Sequence, residues 1–264
     1  MQHAQIYYLR RRIFYFGVVS LFLILNSGKV HAAAWPQSPG ILFVEAKFQS
    51  FSSDSDAFGF ESKDYIIYAE YGLAKGRTIG GKFMATDATT SAGSSNVSTS
   101  GVVYRGEGFV QSRLFSRGRL IVSGQLTGIY SQSFANNERS LSLDDGAGVD
   151  GRLQVGYSPK FGVLRPFISI EIGYRHRWRD RSNVRIDGQV GAYPHRRIMA
   201  LAGFSTAVAP GEGAFPRAQL TKLQPTVAIE LNRHFSLTIG GSFEFAPKKY
   251  YPGRTAMIGI WTKL

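Results

Sequence analysis

From residue 41 to the end, apolar and polar residues alternate with a period of two, and no helical repeat survives for more than about two turns. Period-two alternation places successive side chains on opposite faces of an extended chain, so it predicts strands. Twelve stretches carry it: 41–51, 62–73, 78–87, 101–114, 119–134, 148–157, 164–180, 183–192, 196–206, 217–231, 234–245 and 254–264. Each has at least ten residues, enough to cross a bilayer at a tilt, which takes about 9–11.

The connections alternate in character as well. Odd-to-even links such as 52–61, 88–100, 135–147 and 246–253 are longer and polar, while even-to-odd links such as 74–77, 115–118, 193–195 and 232–233 are tight turns. The link between the seventh and eighth strands, near Arg181 and Ser182, is the exception. An up-and-down meander with short periplasmic turns and long outer loops has this form.

Which face is apolar separates a soluble barrel from a membrane barrel. The seventh strand puts Ile168, Ile170, Ile172, Tyr174, His176 and Trp178 on one side. On the other stand Ser169, Glu171, Gly173, Arg175, Arg177 and Arg179, and a face with three arginines is no dry core without several partners. Aromatic residues crowd the strand ends at Tyr65, Tyr71, Tyr130, Tyr157, Trp178, Phe235 and Phe245, where a membrane barrel carries its girdles. The expectation is an all-β, transmembrane, antiparallel up-and-down β-barrel of about 12 strands, apolar outside and polar inside. The alternative is a soluble sandwich or lipocalin-like barrel with a solvated polar face.

Residues 1–32 lie outside this pattern. Arg10, Arg11 and Arg12 precede the apolar run 13–25, and Val30-His31-Ala32 offers a small-residue cleavage site, the order of a secretory signal peptide. The domain reading is a cleaved signal at 1–32, a short N-terminal segment at 33–40 and the barrel at 41–264. Cleavage would remove four of the 31 basic residues and none of the 18 acidic ones, so the exported chain stays basic, at net +9. Its basic residues are scattered singly through the strands, and with export this argues against nucleic acid as the partner. There is no cysteine, and the three histidines left after cleavage are too scattered for a zinc site, so no cofactor is expected.

Taken together, the pattern over residues 41–264 resembles the small, porin-like outer-membrane β-barrels of Gram-negative bacteria, which implies the bacterial cell outer membrane as location. Leu264 departs from the Phe or Trp that usually ends such chains. The mature start, Ala34-Trp35-Pro36-Gln37-Ser38-Pro39-Gly40, has an Ala-Trp-x-Gln-x-x-Gly form that resembles the XagA-like barrels associated with biofilm polysaccharide. That resemblance implies a part in moving or retaining an exopolysaccharide.

The alternation places Lys47, Lys82, Arg105, Arg113, Arg152, Arg175, Arg177, Arg179, Arg185 and Lys222 in the lumen against Glu45, Glu70, Glu107, Asp150, Glu171, Asp187, Glu230 and Glu244, and most of these can pair across neighbouring strands. Arg175, Arg177 and Arg179 stand about 6.5–7 Å apart per step on one face. With Arg185 they form a candidate binding ladder, because guanidinium groups hold carboxylates or phosphates bidentately. Pairing with Asp180 and Asp187, or a rim that meets lipopolysaccharide phosphates, are the other readings. The expected function is a narrow, anion-selective channel or docking surface for acidic or sugar-rich solutes, working without bond chemistry, with outer-membrane lipid and lipopolysaccharide as surroundings. A lipid-hydrolysing barrel using Ser182 and His176, or a non-transporting structural or adhesion barrel, are the alternatives.

Overall fold

The computed structural model describes residues 34–54, 58–92, 97–135, 146–159, 164–178, 182–209, 218–245 and 252–264. The signal sequence expected at 1–32, together with Arg179 and Asp180, lies outside the described residues.

Twelve strands form in chain order: β1 (Leu42–Asp54), β2 (Phe58–Ala74), β3 (Arg77–Ala92), β4 (Val97–Arg117), β5 (Leu120–Ala135) and β6 (Gly146–Tyr157), followed by β7 (Phe167–Arg177), β8 (Asn183–His195), β9 (Ile198–Ala209), β10 (Ala218–Glu230), β11 (Phe235–Phe245) and β12 (Arg254–Lys263). Each pairs antiparallel with its chain neighbours, and β12 pairs with β1 to close the barrel. At the seam, Leu42 and Leu264 exchange both backbone hydrogen bonds at 2.9 Å. Closure leaves no edge whose N–H and C=O groups would have to be buried unpaired against hydrocarbon.

The first four strands reach well into links expected at 52–61 and 88–100, with β1 running to Asp54, β2 starting at Phe58, β3 running to Ala92 and β4 starting at Val97, because the Ser- and Thr-rich residues there keep pairing after the apolar alternation has faded. Two further differences come from prolines. The seventh strand, expected from residue 164, enters the ladder only at Phe167, since Pro166 has no N–H to donate. The turn expected at 193–195 lies inside β8 instead. There the register slips between Ala192 and His195, a bulge that takes Pro194 out of the ladder, and the chain reverses at Arg196 and Arg197.

The wall is apolar outside. On β7, Ile168, Ile170, Ile172, Tyr174 and Trp178 are exposed, whereas Ser169, Glu171, Arg175 and Arg177 are buried inside. The girdle residues named above are all exposed too. The interior is not uniformly polar, however. Phe51, Phe60, Ile66, Met84, Ala88 and Val103 form one apolar cluster, and Phe43, Tyr68, Phe109, Leu201, Ala228 and Trp261 form a second.

The segment before β1 enters the barrel at the short-turn end and crosses it as a strap. The carbonyl of Ala34 accepts from Ser123 Oγ on β5 at 2.7 Å. Trp35 rests against Gly156 on β6 and meets Phe167 on β7 edge-on, with ring centroids 6.3 Å apart. Gln37 donates through its backbone to Thr78 Oγ1 (2.8 Å) and through Nε2 to Glu70 Oε2 (2.7 Å). Gly72 makes this seat possible, because a Cβ there would stand 2.0 Å from the carbonyl oxygen of Ser38. Replacing Gly72 by Val is therefore expected to expel the strap while the barrel still closes. In the folded and otherwise cysteine-free chain, a reporter Ala34→Cys should then react with a water-soluble maleimide when Gly72 is replaced and resist it when Gly72 is kept.

Candidate functional site in the lumen

Alternation turns every second side chain of each strand into a space too narrow for bulk water, so ionised groups there must find counter-charges. Among the described residues, Lys47, Lys82, Arg105, Arg113, Arg152, Arg175, Arg177, Arg185 and Lys222 face inward. Against these nine cations stand eight acids, Glu45, Asp64, Glu70, Glu107, Asp150, Glu171, Asp187 and Glu244, so the described interior is within one charge of neutral. Asp64, which takes a 2.8 Å bond from Thr86 Oγ1, was missing from the expected lumen set. Glu230, expected there, sits exposed at the short-turn rim, because β10 ends at that residue.

Three of these cations converge on one carboxylate. The β6–β7 register sets Asp150 opposite Arg175, and the pleat returns Arg152 to the same face two residues on. Asp150 accepts from Arg175 Nε and Nη2 at 3.0 and 2.9 Å, and from Arg152 Nε and Nη2 at 2.9 and 2.8 Å. Arg185 Nη1 comes within 3.7 Å of the same carboxylate. Gly173 opens the way for this crossing, since a Cβ there would stand 2.8 Å from Arg152 Cγ.

The far end of Arg152 reaches Glu171 and Asp187 at 3.3 and 3.4 Å, and Arg185 pairs with Asp187 at 3.1 Å. Arg105 holds Glu107 at 2.8 Å, and Arg175 lies 4.0 Å from the same acid. A row of amides extends the network: Gln111 donates to Gln154 at 2.6 Å, and Gln154 donates to Gln125 and Glu171 at 3.1 and 3.2 Å. Charge-assisted bonds of this number fix side chains that would otherwise sample many rotamers.

Beside the network lies a cavity of about 80 Å³. It is lined by Lys47, Lys82, Arg152, Arg185 and Lys222 with Glu45, Glu107, Glu171 and Asp187, by the neutral polar Ser169, Gln189, Ser205, Gln224 and Thr226, and by the rings and aliphatic groups of Ile66, Tyr68, Leu201 and Phe204. It has room for a few ordered waters, and its charged and polar lining offers them partners. Of the four arginines singled out in the sequence, Arg185 lines the cavity. Arg175 is fully buried against Asp150, Arg177 is buried one step further along β7, and Arg179 is outside the described residues. The expected pairing with Asp187 is made by Arg185. The strap was also missed as part of the site, although its Gln37 and the Tyr68 hydroxyl both donate to Glu70.

His176 and Ser182 meet on the outside of the wall, with Nδ1 and Oγ 3.0 Å apart, and Trp178 packs edge-on against the imidazole. Both residues are at least partly exposed, beside the link between β7 and β8.

A closed wall with an apolar exterior and a charged, cavity-bearing interior defines the class: a twelve-stranded barrel of the outer-membrane type. No family model and no curated protein matches the sequence. Among solved structures, the chain is similar to an outer-membrane channel from Pseudomonas putida F1, with a TM-score of 0.60 and 14% identity, covering 90% of this chain and 99% of that one. It is similar also to the transport unit of the autotransporter AIDA-I from Escherichia coli, with a TM-score of 0.60 and 8% identity, covering 95% and 98% of the two chains. A third is the KdgM porin in complex with disordered oligogalacturonate, with a TM-score of 0.51 and 7% identity over 83% and 98%. At these identities the shared property is the fold.

Removing the hub tests the network. Asp150→Asn leaves three guanidinium groups around a neutral amide and is expected to destabilise the barrel by about 3–5 kcal/mol, the cost of stranding a buried charge. Urea unfolding of the refolded protein measures it. Adding Arg175→Met to that variant should recover a substantial part, because the most deeply committed cation goes with its partner.

Proposed function

We propose that the barrel sits in a bacterial outer membrane after export and removal of residues 1–32, and that it is a narrow, anion-selective passage or docking surface for acidic or sugar-rich solutes. Exopolysaccharide, exported or retained at the cell surface, is the solute class that the Ala-Trp-x-Gln-x-x-Gly start suggests. The observation that carries this reading is the cavity lining, where the five cations Lys47, Lys82, Arg152, Arg185 and Lys222 outnumber the four carboxylates they share and lie among neutral amides and hydroxyls. Guanidinium groups that already share carboxylates can exchange one oxygen partner for another on a passing solute at small net cost, while amides and hydroxyls suit sugar hydroxyls. A porin of the same fold solved with oligogalacturonate supports the solute class by analogy of fold. Selection in such a lumen is passive and electrostatic.

The residues assigned to the solute are Arg175, Arg177, Arg179 and Arg185, with Arg185 in direct contact with the passage and Arg175 positioned behind it by Asp150. Single-channel recording of the mature protein in a planar bilayer tests this. Wild type should pass anions in preference to cations, and Arg185→Ser should erode that preference more than Arg175→Ser does. Silence from an inserted wild-type barrel would remove the channel and leave docking.

A second reading rests on the hydrogen bond between His176 and Ser182, the pairing a lipid hydrolase would use at a membrane-facing rim. We assign this pair to the aromatic girdle instead, since Trp178 packs on the imidazole and Ser182 caps it. Ser182→Ala should leave fatty-acid release from phospholipid vesicles at the level of protein-free vesicles, as the parent chain should. Serine-dependent release would overturn the assignment.

A further inference from the structure

The exported chain is basic, yet its described lumen is within one charge of balance, so most of the excess lies elsewhere. It does not lie on the outer face at the long-loop end, where the described Lys63 and Arg254 are offset by Glu61 and Asp87. It lies at the short-turn end. The β2–β3 turn carries Lys75 and Arg77, and the β4–β5 turn Arg117 and Arg119. Arg165 precedes β7, Arg196 and Arg197 make the β8–β9 turn, Arg233 the β10–β11 turn, and Lys263 ends β12. All nine are exposed, and among the described residues none of them makes an ion pair. The acidic group described at this rim is Glu230.

Two features say what this ring meets. First, it runs round the whole circumference, with a cation from every short connection and from the end of β12, so its partner surrounds the barrel rather than touching one side. Second, exposed aromatic residues lie close to the cations in sequence on the outer face: Tyr71 before Lys75, Phe115 before Arg117 and Phe235 after Arg233. Tyrosine and phenylalanine at a membrane boundary mark the head-group level, and cations placed just beyond them lie among the phosphates. The strap that crosses the same mouth, residues 34–41, has no charged side chain and leaves the field of the ring uncompensated.

We infer that the short-turn rim is a binding ring for anionic phospholipid head groups of the leaflet around it, with seven guanidinium groups among its nine cations suited to bidentate contact with phosphate. The inference rests on the membrane placement proposed above. Each exposed cation near a charged lipid surface adds a small attraction, and the ring sums them into a preference for one lipid class.

The test compares lipids at the barrel surface. The mature protein is refolded into vesicles of equal parts phosphatidylcholine and phosphatidylglycerol, and spin-labelled forms of each lipid report the motionally restricted shell. Wild type should favour labelled phosphatidylglycerol by at least about threefold at low salt, and the preference should fall toward parity as salt is raised. A variant with Lys75, Arg77, Arg117, Arg119, Arg196 and Arg197 changed to Gln should show parity at low salt. Because the salt series needs only the wild type, a variant that refolds poorly does not rescue the idea. Parity in an inserted wild-type barrel overturns the inference and leaves the membrane placement standing, whereas failure to insert overturns both. Soluble polygalacturonate that binds the inserted wild type, with no lipid preference, assigns the ring to a polymer and likewise overturns it.

Discussion

A wall that turns its apolar side outward can satisfy its backbone only by pairing every strand with another, and a finite sheet does so only by returning to its own beginning. The reciprocal bonds between Leu42 and Leu264 at the β1–β12 seam are where that return is completed. The other features follow from it. Closure creates an inside, and the pleat delivers half of each strand's side chains into it. Once polar residues are confined there, they must neutralise one another. The two apolar clusters and the charged network are how this interior reaches packing and charge balance together.

Much of this wall was legible in the sequence. Period-two alternation is a local property of the strand, so strand number, order and the outward face of β7 could be read residue by residue, whereas the ends of β1–β4 and the boundaries beside Pro166 and Pro194 moved, since pairing there is decided by the neighbouring strand and not by apolar alternation. The lumen was legible in composition but not in arrangement. That Arg175 and Arg185 would be inside follows from parity. That both would turn toward Asp150 depends on the stagger of three neighbouring strands and on the bare backbone at Gly173, and neither has a signature in any single segment. The inward rings of Phe43, Phe51 and Trp261 were hidden for a related reason, since an apolar residue on a mostly polar face looks like a flaw in the alternation until its neighbours across the barrel are known.

The lumen also shows how a charged interior can be rigid and still recognise ions. An isolated buried arginine would be costly, and a fully satisfied pair would be inert. Asp150 serves three arginines, and Arg152 is shared among three acids, so each contact is partial and exchangeable. That is the electrostatic condition for a wall that holds its shape without a solute and can accept one without unfolding.

The strap ahead of β1 has a consequence for how the molecule comes together. Its contacts fall on β2, β3, β5, β6 and β7, so its seat does not exist until those strands have curved round to face one another. The first residues of the barrel domain to be synthesised are thus among the last to find their place. Trp35 becomes a built-in reporter of assembly, whose surroundings change when the half-built wall has become a container.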